Sequence, residues 1–354
     1  MRSRIAGFDG LRAIAVLMVL AEHKLPFAHR LALGGWGVHL FFVLSGFLVI
    51  GILFDRRGAI EGGVSSFKKE IIHFYENRAF RIWPVYYLMV AVIFAYGLAG
   101  GRPPLTGDEI FALVTLTSNV FQSYVWPNYP EQFGAFWSVA IEEQFYLWAA
   151  VAFLLAPQRY AARICLLTMI AAVTFGVASF MLGLPGRSIY TGSLTNFGLM
   201  ALGGFAAVRT KGIGWLAPWA LLLYLMCPLL ARWLAPAQGV GFLLFFGSGI
   251  LVAVLLSAIV ADQNSLLVRL LELAPLKYIG RISYGLYIYH GFFGIALLGT
   301  YAPVLRQSFA GLLDIGISIV VAGLSWRYIE APLLAHRDSL RMKRAAAIAP
   351  PALA

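Results

Sequence analysis

The stretch WGVHLFFVLSGFLVIGILF, residues 36–54, decides the fold class because it contains no Asp, Glu, Lys or Arg. About 20 such residues in a helix cross the ~30 Å hydrocarbon core of a bilayer. Similar stretches recur along the 354 residues, of which 60% are hydrophobic and only 12% are charged. A soluble domain carries about 25% charged residues. The sequence therefore predicts an all-α integral membrane protein and excludes a soluble multidomain protein.

Eleven apolar segments are candidate helices, and we expect ten of them to cross the membrane. The exception is 108–125, whose second half is polar, so we expect it to be re-entrant or to pack outside the bundle. The predicted fold is thus a bundle of about ten transmembrane helices plus one re-entrant or outside-packed helix. The ten expected crossings lie near residues 8–27, 36–54, 83–99, 137–156, 163–182, 194–209, 215–234, 239–261, 279–299 and 309–328.

The distribution of positive charge supports this count. With ten crossings, 21 of the 27 Lys and Arg residues fall on one side of the membrane and six on the other. Lys and Arg accumulate on the cytoplasmic side, so both termini are predicted to be cytoplasmic. The net charge of +11 then follows from topology, and no nucleic-acid partner is needed to explain it.

The loops are short, with one exception. Residues 66–80 alternate apolar and charged side chains and are predicted to form a helix at the membrane surface, before a transmembrane helix that starts at Pro84. Residues 1–335 form the predicted transmembrane domain. The basic segment 336–354 is predicted to be a disordered cytoplasmic tail.

Ionisable residues inside the spans are the best guide to function, because each costs about 2.5–3.5 kcal/mol or more at the centre of a span. Arg12 and His23 lie eleven positions apart, which places them on one helix face and about 16 Å apart along the axis. Asp9 is placed to pair with Arg12. Taken singly, Arg12 could be an anchor at the membrane surface and His23 a residue bonded to a carbonyl. Their alignment favours a functional role.

Two further motifs add charge to the bundle. Arg78 and Arg81 are one turn apart, and paired guanidinium groups suit phosphate, although they could equally be ordinary cytoplasmic anchors. In WSVAIEEQFY, residues 137–146, Ser138, Glu142 and Tyr146 share a helix face. Glu142 is expected in the same half of the bundle as His23, where a carboxylate could orient the imidazole as a general base.

A fourth motif, RISYGLYIYH at 281–290, forms a polar stripe through Ser283, Tyr287 and His290. Pore lining, a substrate groove or hydrogen bonds between helices would each explain this stripe. Cys165 and Cys227 lie alone in apolar runs, so no metal site is predicted.

Together these motifs resemble the integral-membrane acyltransferase-3 family, whose members O-acylate bacterial glycans, lipids and some macrolides. The resemblance extends from residue 8 to 332 and rests on six motifs in order: FDGLR (8–12) with His23, FFVLSGF (41–47), RAFRIWP (78–84), WSVAIEEQFY (137–146), SYGLYIYH (283–290) and YIEAP (328–332).

The resemblance implies a multi-pass protein of the bacterial inner membrane that uses acyl-CoA, most often acetyl-CoA, as co-substrate, with no permanently bound cofactor. It implies that His23 is the catalytic base and that Arg12, Arg78 and Arg81 bind the donor. Asp9 would support Arg12. The acceptor could be a glycan, a lipid-linked sugar or a macrolide.

In the expected mechanism, His23, oriented by Glu142, deprotonates the acceptor hydroxyl as it attacks the thioester. A route through an acyl-enzyme uses the same residues. Acceptor binding or oxyanion stabilisation is open to Ser45, Tyr146, Tyr287 and His290. The rival interpretation is a proton-coupled transporter or flippase of an anionic or glycan substrate, although the sequence has no inverted repeat. A structural scaffold would not explain why ionisable residues lie in apolar spans.

Overall fold

The computed structural model describes residues 4–100, 105–125, 135–209, 211–234, 240–292 and 304–348. Its α-helices are α1 Phe8–Lys24, α2 Pro26–His29, α3 Leu33–Glu61, α4 Phe67–Leu98, α5 Gly107–Val114, α6 Ser118–Val120, α7 Phe136–Leu155, α8 Ala161–Met181, α9 Gly186–Tyr190, α10 Ser193–Arg209, α11 Ala217–Leu234, α12 Val240–Ala261, α13 Leu266–Leu271, α14 Ala274–Arg281, α15 Ser283–Tyr289, α16 Val304–Ser325 and α17 Ala331–Ile348. Short 3₁₀ helices span Gln158–Tyr160 and Gly214–Leu216, and π-helices span Phe121–Val125 and Trp326–Glu330.

The described residues are helical and contain no strand, as predicted. Seven helices in these residues are long and apolar enough to cross a membrane. They are Leu33–Glu61, Phe67–Leu98, Phe136–Leu155, Gln158–Met181, Gly214–Leu234, Leu243–Ala261 and Phe309–Arg344. The protein is therefore a multi-pass membrane protein, while the count of about ten crossings stays a prediction.

The centre of the bundle is the packing of α3 against α1 and α10. Glycines allow α3 and α10 to approach closely, since a Cβ at Gly46 would lie 1.9 Å from the carbonyl oxygen of Met200. A Cβ at Gly203 would likewise lie 1.9 Å from the carbonyl oxygen of Val43. Small residues at such contacts are typical of helix packing in membranes. This core fixes α3, which forms one wall of the candidate site.

Helix α1 is held between α3 and α14. Its apolar residues Leu11, Val16 and Leu20 are fully buried. Gly280 of α14 lies so close to α1 that a Cβ there would meet the carbonyl oxygen of Asp9 at 1.8 Å. The first turns of α1, which carry Asp9 and Arg12, are thereby fixed in depth relative to α14.

Two segments expected outside the bundle are longer helices than predicted. The surface helix expected over 66–80 is the first part of α4, which continues through Pro84 without a break. Proline removes one backbone hydrogen bond, a loss that membrane helices tolerate when neighbouring groups compensate for it. The disorder expected over 336–354 is also not observed up to residue 348, because α17 covers these residues and packs on α4. Residues 349–354 lie outside the described residues.

Two predicted segments are interrupted. The segment 108–125 forms α5, α6 and a π-helix, and its longest piece has eight residues, about 12 Å, which is too short to cross the bilayer. Gln144 of α7 holds this segment by donating to the carbonyl of Leu116 and to Asn119 Oδ1. The expected span 279–299 breaks at Ile282 between α14 and α15, and residues 293–299 lie outside the described residues.

Candidate active site

Seven of the ten predicted site residues line one cavity of about 290 Å³. They come from five helices that are far apart in sequence. The seven are Arg12, Ser45, Arg78, Arg81, Glu142, Tyr146 and Tyr287. The sequence motifs therefore converge on a single site.

Helix α3 supplies the apolar wall of this cavity. Its lining residues run from Val38 to Ile52, which corresponds to about 21 Å along the helix axis. The facing wall is polar and comes from α1, α4, α7 and α15. The cavity is consequently long and narrow, with one apolar and one polar side. We refer to the end with Arg12, Arg78 and Arg81 as the arginine end.

The arginine end carries more positive than negative charge. Arg12 donates to Asp9 Oδ1 at 2.9 Å, which confirms the predicted pairing of these two residues. The Arg78 guanidinium lies over the ring of Tyr146, 4.9 Å from its centroid. Within the described residues, neither Arg78 nor Arg81 has a carboxylate within 4.0 Å, and Arg81 is exposed. Such guanidinium groups, not neutralised by an ion pair, are suited to bind an anionic ligand.

Helix α7 supplies the polar face predicted from its four-residue spacing, since Ser138, Glu142 and Tyr146 all line the cavity. Ser45, Tyr146, Arg78 and Arg81 all lie close enough to Glu142 to act on its carboxylate. The hydroxyls of Ser45 and Tyr146 lie 3.0 Å apart. Glu142 is thus the counter-charge of the arginine end.

Two hydroxyls line the opposite end of the cavity. Ser138 Oγ and Tyr287 Oη lie 2.6 Å apart, and both residues are buried. The ring of Phe41 stands edge-on to Tyr287 with centroids 6.1 Å apart. Tyr287 also lies next to His290, since the centroids of their rings are 5.6 Å apart.

A pair of histidines lies on the far side of Tyr287, and we call this region the histidine end. The rings of His23 and His290 have centroids 5.0 Å apart. His290 is buried, and its Nδ1 lies 2.5 Å from the Tyr287 carbonyl oxygen, whereas His23 is exposed. A carbonyl accepts but does not donate, so Nδ1 of His290 carries the proton.

The sequence predicts that Glu142 orients His23. Glu142 lies four residues beyond Ser138 on α7, about 6 Å closer to the arginine end. The contacts described for Glu142 are with Ser45, Tyr146 and the arginines, and the ring beside His23 is that of His290. The pairing of His23 with Glu142 therefore stays a prediction.

A second cavity of about 150 Å³ adjoins the arginine end. It shares Arg12, Arg81 and Tyr284 with the first cavity, and Asp9 and Glu330 also line it. Glu330 is buried and accepts a hydrogen bond from Ser325 Oγ at 3.1 Å. These shared side chains form the partition between the two cavities.

Sequence reasoning missed three residues of the site. Tyr284 lines both cavities, and its hydroxyl donates to the carbonyl of Ile82 at 2.8 Å. Lys24 forms a buried ion pair with Asp314 at 2.6 Å, next to His23. Asp314 could have been found from sequence, because it is an acidic residue within the apolar run 309–328.

Comparison with known proteins gives a consistent result. The family model Acyl_transf_3, an acyltransferase domain, matches residues 5–326. The chain is 30% identical over 369 aligned positions to the peptidoglycan O-acetyltransferase OatA of Listeria monocytogenes, with 94% of this chain and 56% of that protein aligned. It is 29% identical to the putative peptidoglycan O-acetyltransferase YrhL of Bacillus subtilis (93% and 55% aligned) and 25% identical to the O-acetyltransferase OatA of Staphylococcus aureus (93% and 57% aligned).

The chain thus spans little more than half the length of the curated relatives it matches. No solved structure matches it.

Proposed function

The chain belongs to the Acyl_transf_3 family of acyltransferases, and from this premise we propose that it transfers an acetyl group from acetyl-CoA to a hydroxyl of a peptidoglycan-type glycan. The observation that carries the proposal is the cavity itself. It has an arginine cluster at one end, and at its opposite end a hydroxyl pair lies next to two histidines.

The donor is assigned from the charge and shape of the cavity. Arg78 and Arg81 offer guanidinium groups to the phosphates of a coenzyme A thioester. The narrow cavity, about 21 Å long, then accommodates its thin pantetheine arm. On this proposal the arginine end faces the cytoplasm, as the distribution of Lys and Arg predicts, and both termini do as well.

The acyl group is proposed to be short. An arm that enters at the arginine end brings the thioester to Ser138 and Tyr287, whose hydroxyls line the opposite end of the cavity. A two-carbon acyl group requires the least space there. Ser138 donates to the carbonyl of Ala135, so Tyr287 donates to Ser138. On this proposal the Tyr287 hydroxyl turns its proton to the thioester oxygen as negative charge develops there.

The proton is proposed to move through His23. Its imidazole accepts the proton of the acceptor hydroxyl while the hydroxyl oxygen attacks the thioester carbon. The new C–O bond forms, the C–S bond breaks, and the departing thiolate takes up the proton, so that the products are an acetyl ester and free coenzyme A. General-base assistance of this kind is typically worth 10²–10⁴ in rate. His290 takes over the positioning role that the sequence assigned to Glu142, because its ring lies beside that of His23.

The acceptor class comes from the relatives, two of which are named peptidoglycan O-acetyltransferases. His23 is exposed on the side of Tyr287 away from the arginines, so an acceptor can approach it without entering the donor cavity. The donor and the acceptor would then meet from opposite sides of the membrane.

The first experiment measures acetyl-CoA binding to the detergent-purified protein by calorimetry. The Arg78→Ala/Arg81→Ala variant should lose binding that the wild type shows. The matched control is Lys68→Ala/Lys69→Ala, which removes two exposed positive charges from the same helix and should bind normally. If the wild type binds no short-chain acyl-CoA, or if both variants weaken equally, the donor assignment is wrong.

The acceptor is tested separately with labelled acetyl-CoA and soluble peptidoglycan fragments. Label should appear on the glycan as an alkali-labile ester and require His23. A transporter would instead move an anion or a glycan across vesicles without consuming the thioester. Label that never reaches a glycan, although coenzyme A is released, would point to a different acceptor class.

A further inference from the structure

Helix α17 begins after the residues that match the family, which end at 326, yet it contacts the helix that carries the paired arginines. It packs against α4, whose first turns precede Arg78 and Arg81. The proposed reaction gives this contact between α17 and α4 no role.

Arg341 makes most of the contact. Its Nη1 donates to Asn77 Oδ1 at 2.9 Å, and its Nη2 donates to the carbonyl of His73 at 3.0 Å. Nη2 also lies 3.5 Å from Glu76 Oε2. Arg344 adds a bond of 2.5 Å from its Nη1 to Glu76 Oε1. Arg341 is mostly covered, with 21% of its side chain exposed, whereas Arg344 is 62% exposed, so we expect Arg341 to contribute more.

The same part of α4 has two other attachments. Arg56 of α3 donates to both the carbonyl and the carboxylate of Glu70, each at 2.9 Å. The hydroxyl of Tyr75 donates to the carbonyl of Leu147 on α7 at 3.2 Å. Of these three attachments, the one by Arg341 lies nearest to Arg78, because Asn77 directly precedes that residue. On the other side of the arginines, Tyr284 donates to the carbonyl of Ile82, which directly follows Arg81.

There is a physical reason for such an attachment. Arg12, Arg78 and Arg81 lie close enough for their charges to act on one another, and like charges repel. An empty donor site therefore tends to push α4 away from α1. A helix is stiff over two turns, so holding residues 73–77 in place also holds the guanidinium groups that follow them.

We infer that Arg341, with Arg344, is a positioning residue for the donor site. By clamping α4 at His73, Glu76 and Asn77, it keeps Arg78 and Arg81 at the depth where the phosphates of the donor bind. Arg341 does not line the cavity and touches no reacting group. The inference rests on the proposed function, because it concerns how the acyl-CoA site is preorganised.

The test compares Arg341→Ala with Lys343→Ala. Both variants remove one positive charge from α17, but Lys343 is exposed. The dissociation constant and the KM for acetyl-CoA should rise about tenfold in Arg341→Ala, as expected for the loss of charge-assisted hydrogen bonds. The kcat at saturating acetyl-CoA should stay within about twofold, since the chemistry is unchanged once the donor is bound. Lys343→Ala should behave as wild type.

A second variant changes the contact on the α4 side. It provides a test even if Arg341→Ala does not fold. Glu76→Gln removes the negative charge that Arg344 and Arg341 face but leaves an acceptor oxygen there, together with Asn77 and the His73 carbonyl, so its KM should rise less than that of Arg341→Ala. Both variants are checked by gel filtration and thermal stability. The inference is overturned if folded Arg341→Ala binds acetyl-CoA as wild type does, or if kcat falls while KM is unchanged.

Equal weakening in Lys343→Ala would also overturn it, since the total charge of α17 would then be the cause. If Arg341→Ala does not fold, Glu76→Gln decides the question, and a normal KM in that variant overturns the inference. Wild-type protein that binds no acyl-CoA is a different result: it removes the proposed donor and this inference together.

Discussion

The charged side chains at the two ends of α1 differ in their exposure to solvent. At its start, Asp9 bridges Arg4 and Arg12, and Glu272 binds Arg4 and the backbone N–H of Gly7, all with partly exposed side chains. At its C-terminal end, Lys24 forms an ion pair with Asp314, and the two side chains are only 6% and 8% exposed. One helix thus carries accessible charge at the arginine end and enclosed charge at the histidine end.

We expect this difference in exposure to separate donor binding at the arginine end from proton transfer at the histidine end. An anionic ligand needs cations that it can reach, and the arginine end offers Arg78 and Arg81 without a carboxylate in contact within the described part of the chain. A proton-transfer group needs a fixed position, and the buried pair holds the helix turn that carries His23. The predictions below test this division.

The largest effect is expected for His23→Ala. Acetyl transfer should fall by about 10²–10⁴, because the proposed general base is lost. Acetyl-CoA binding should be unchanged, because the donor site lies at the other end of α1. Calorimetry and the labelled-transfer assay measure the two quantities, with His29→Ala, an exposed histidine nearby, as the control. A variant that retains full transfer would exclude His23 as the base.

Breaking the buried ion pair should come next. Lys24→Ala leaves Asp314 as an uncompensated buried charge, and the free energy of unfolding should fall by about 3–5 kcal/mol. The double variant Lys24→Leu/Asp314→Leu should recover most of this loss. The apparent melting temperature in detergent reports both, with the exposed Arg30→Ala as control. A single variant as stable as wild type would show that the histidine end is not held by this pair.

Tyr287 at the boundary between the two ends should set the acyl chain length. Tyr287→Ala removes a ring that lines the cavity, so the ratio of butyryl to acetyl transfer should rise by about tenfold, as expected when a pocket gains room for two methylene groups. Ser138→Ala loses the hydrogen bond but keeps the ring and should retain the wild-type preference. The measurement is kcat/KM with each acyl-CoA. An unchanged ratio in Tyr287→Ala would place the limit on chain length elsewhere.

The smallest effect concerns Glu272, at the accessible end. Burial raises the pKa of its carboxyl, but hydrogen bonds from the Gly7 N–H and Lys277, with the charge of Arg4, outweigh burial and lower the pKa below its usual 4.5. A lowered folded-state pKa stabilises the protein above pH 4.5, and this stabilisation is lost as the pH falls through the folded-state value.

We expect Glu272→Gln to be about 0.5–1 kcal/mol less stable at pH 7, as is typical of exposed ion pairs. The difference from wild type should vanish at low pH. Melting temperatures from pH 3 to 7 measure this, and a difference that persists at pH 3 would assign the effect to packing.

The sequence predicted much of this arrangement because periodicity places residues on helix faces. The spacing of Ser138, Glu142 and Tyr146 correctly predicted a shared face, and that of Asp9 and Arg12 an ion pair. The relative position of two helices along their axes was harder to predict. The assignment of Glu142 to His23 needed the vertical register of α7 against α1, which depends on loops and close contacts that no single segment encodes.

The same limit explains the unexpected extent of two helices. Pro84 is compatible with either a helix start or a helix interior, and only the packing around α4 decides between them. The basic composition of 336–348 suggests a solvated tail, but the acceptors at His73, Glu76 and Asn77 that order α17 lie more than 250 residues away in sequence.

The hydrogen bond between Ser138 and Tyr287 also has an electrical consequence. A water-filled path through the whole bundle would let ions leak across an energised membrane. A potential of ~100 mV is worth about 2.3 kcal/mol per elementary charge. On the proposed function, a cavity that holds water up to this pair places most of the voltage across the layer between Tyr287 and the exposed His23. Donor binding at the arginines should therefore be insensitive to membrane potential, whereas a proton that passes from His23 towards the departing sulfur crosses the field.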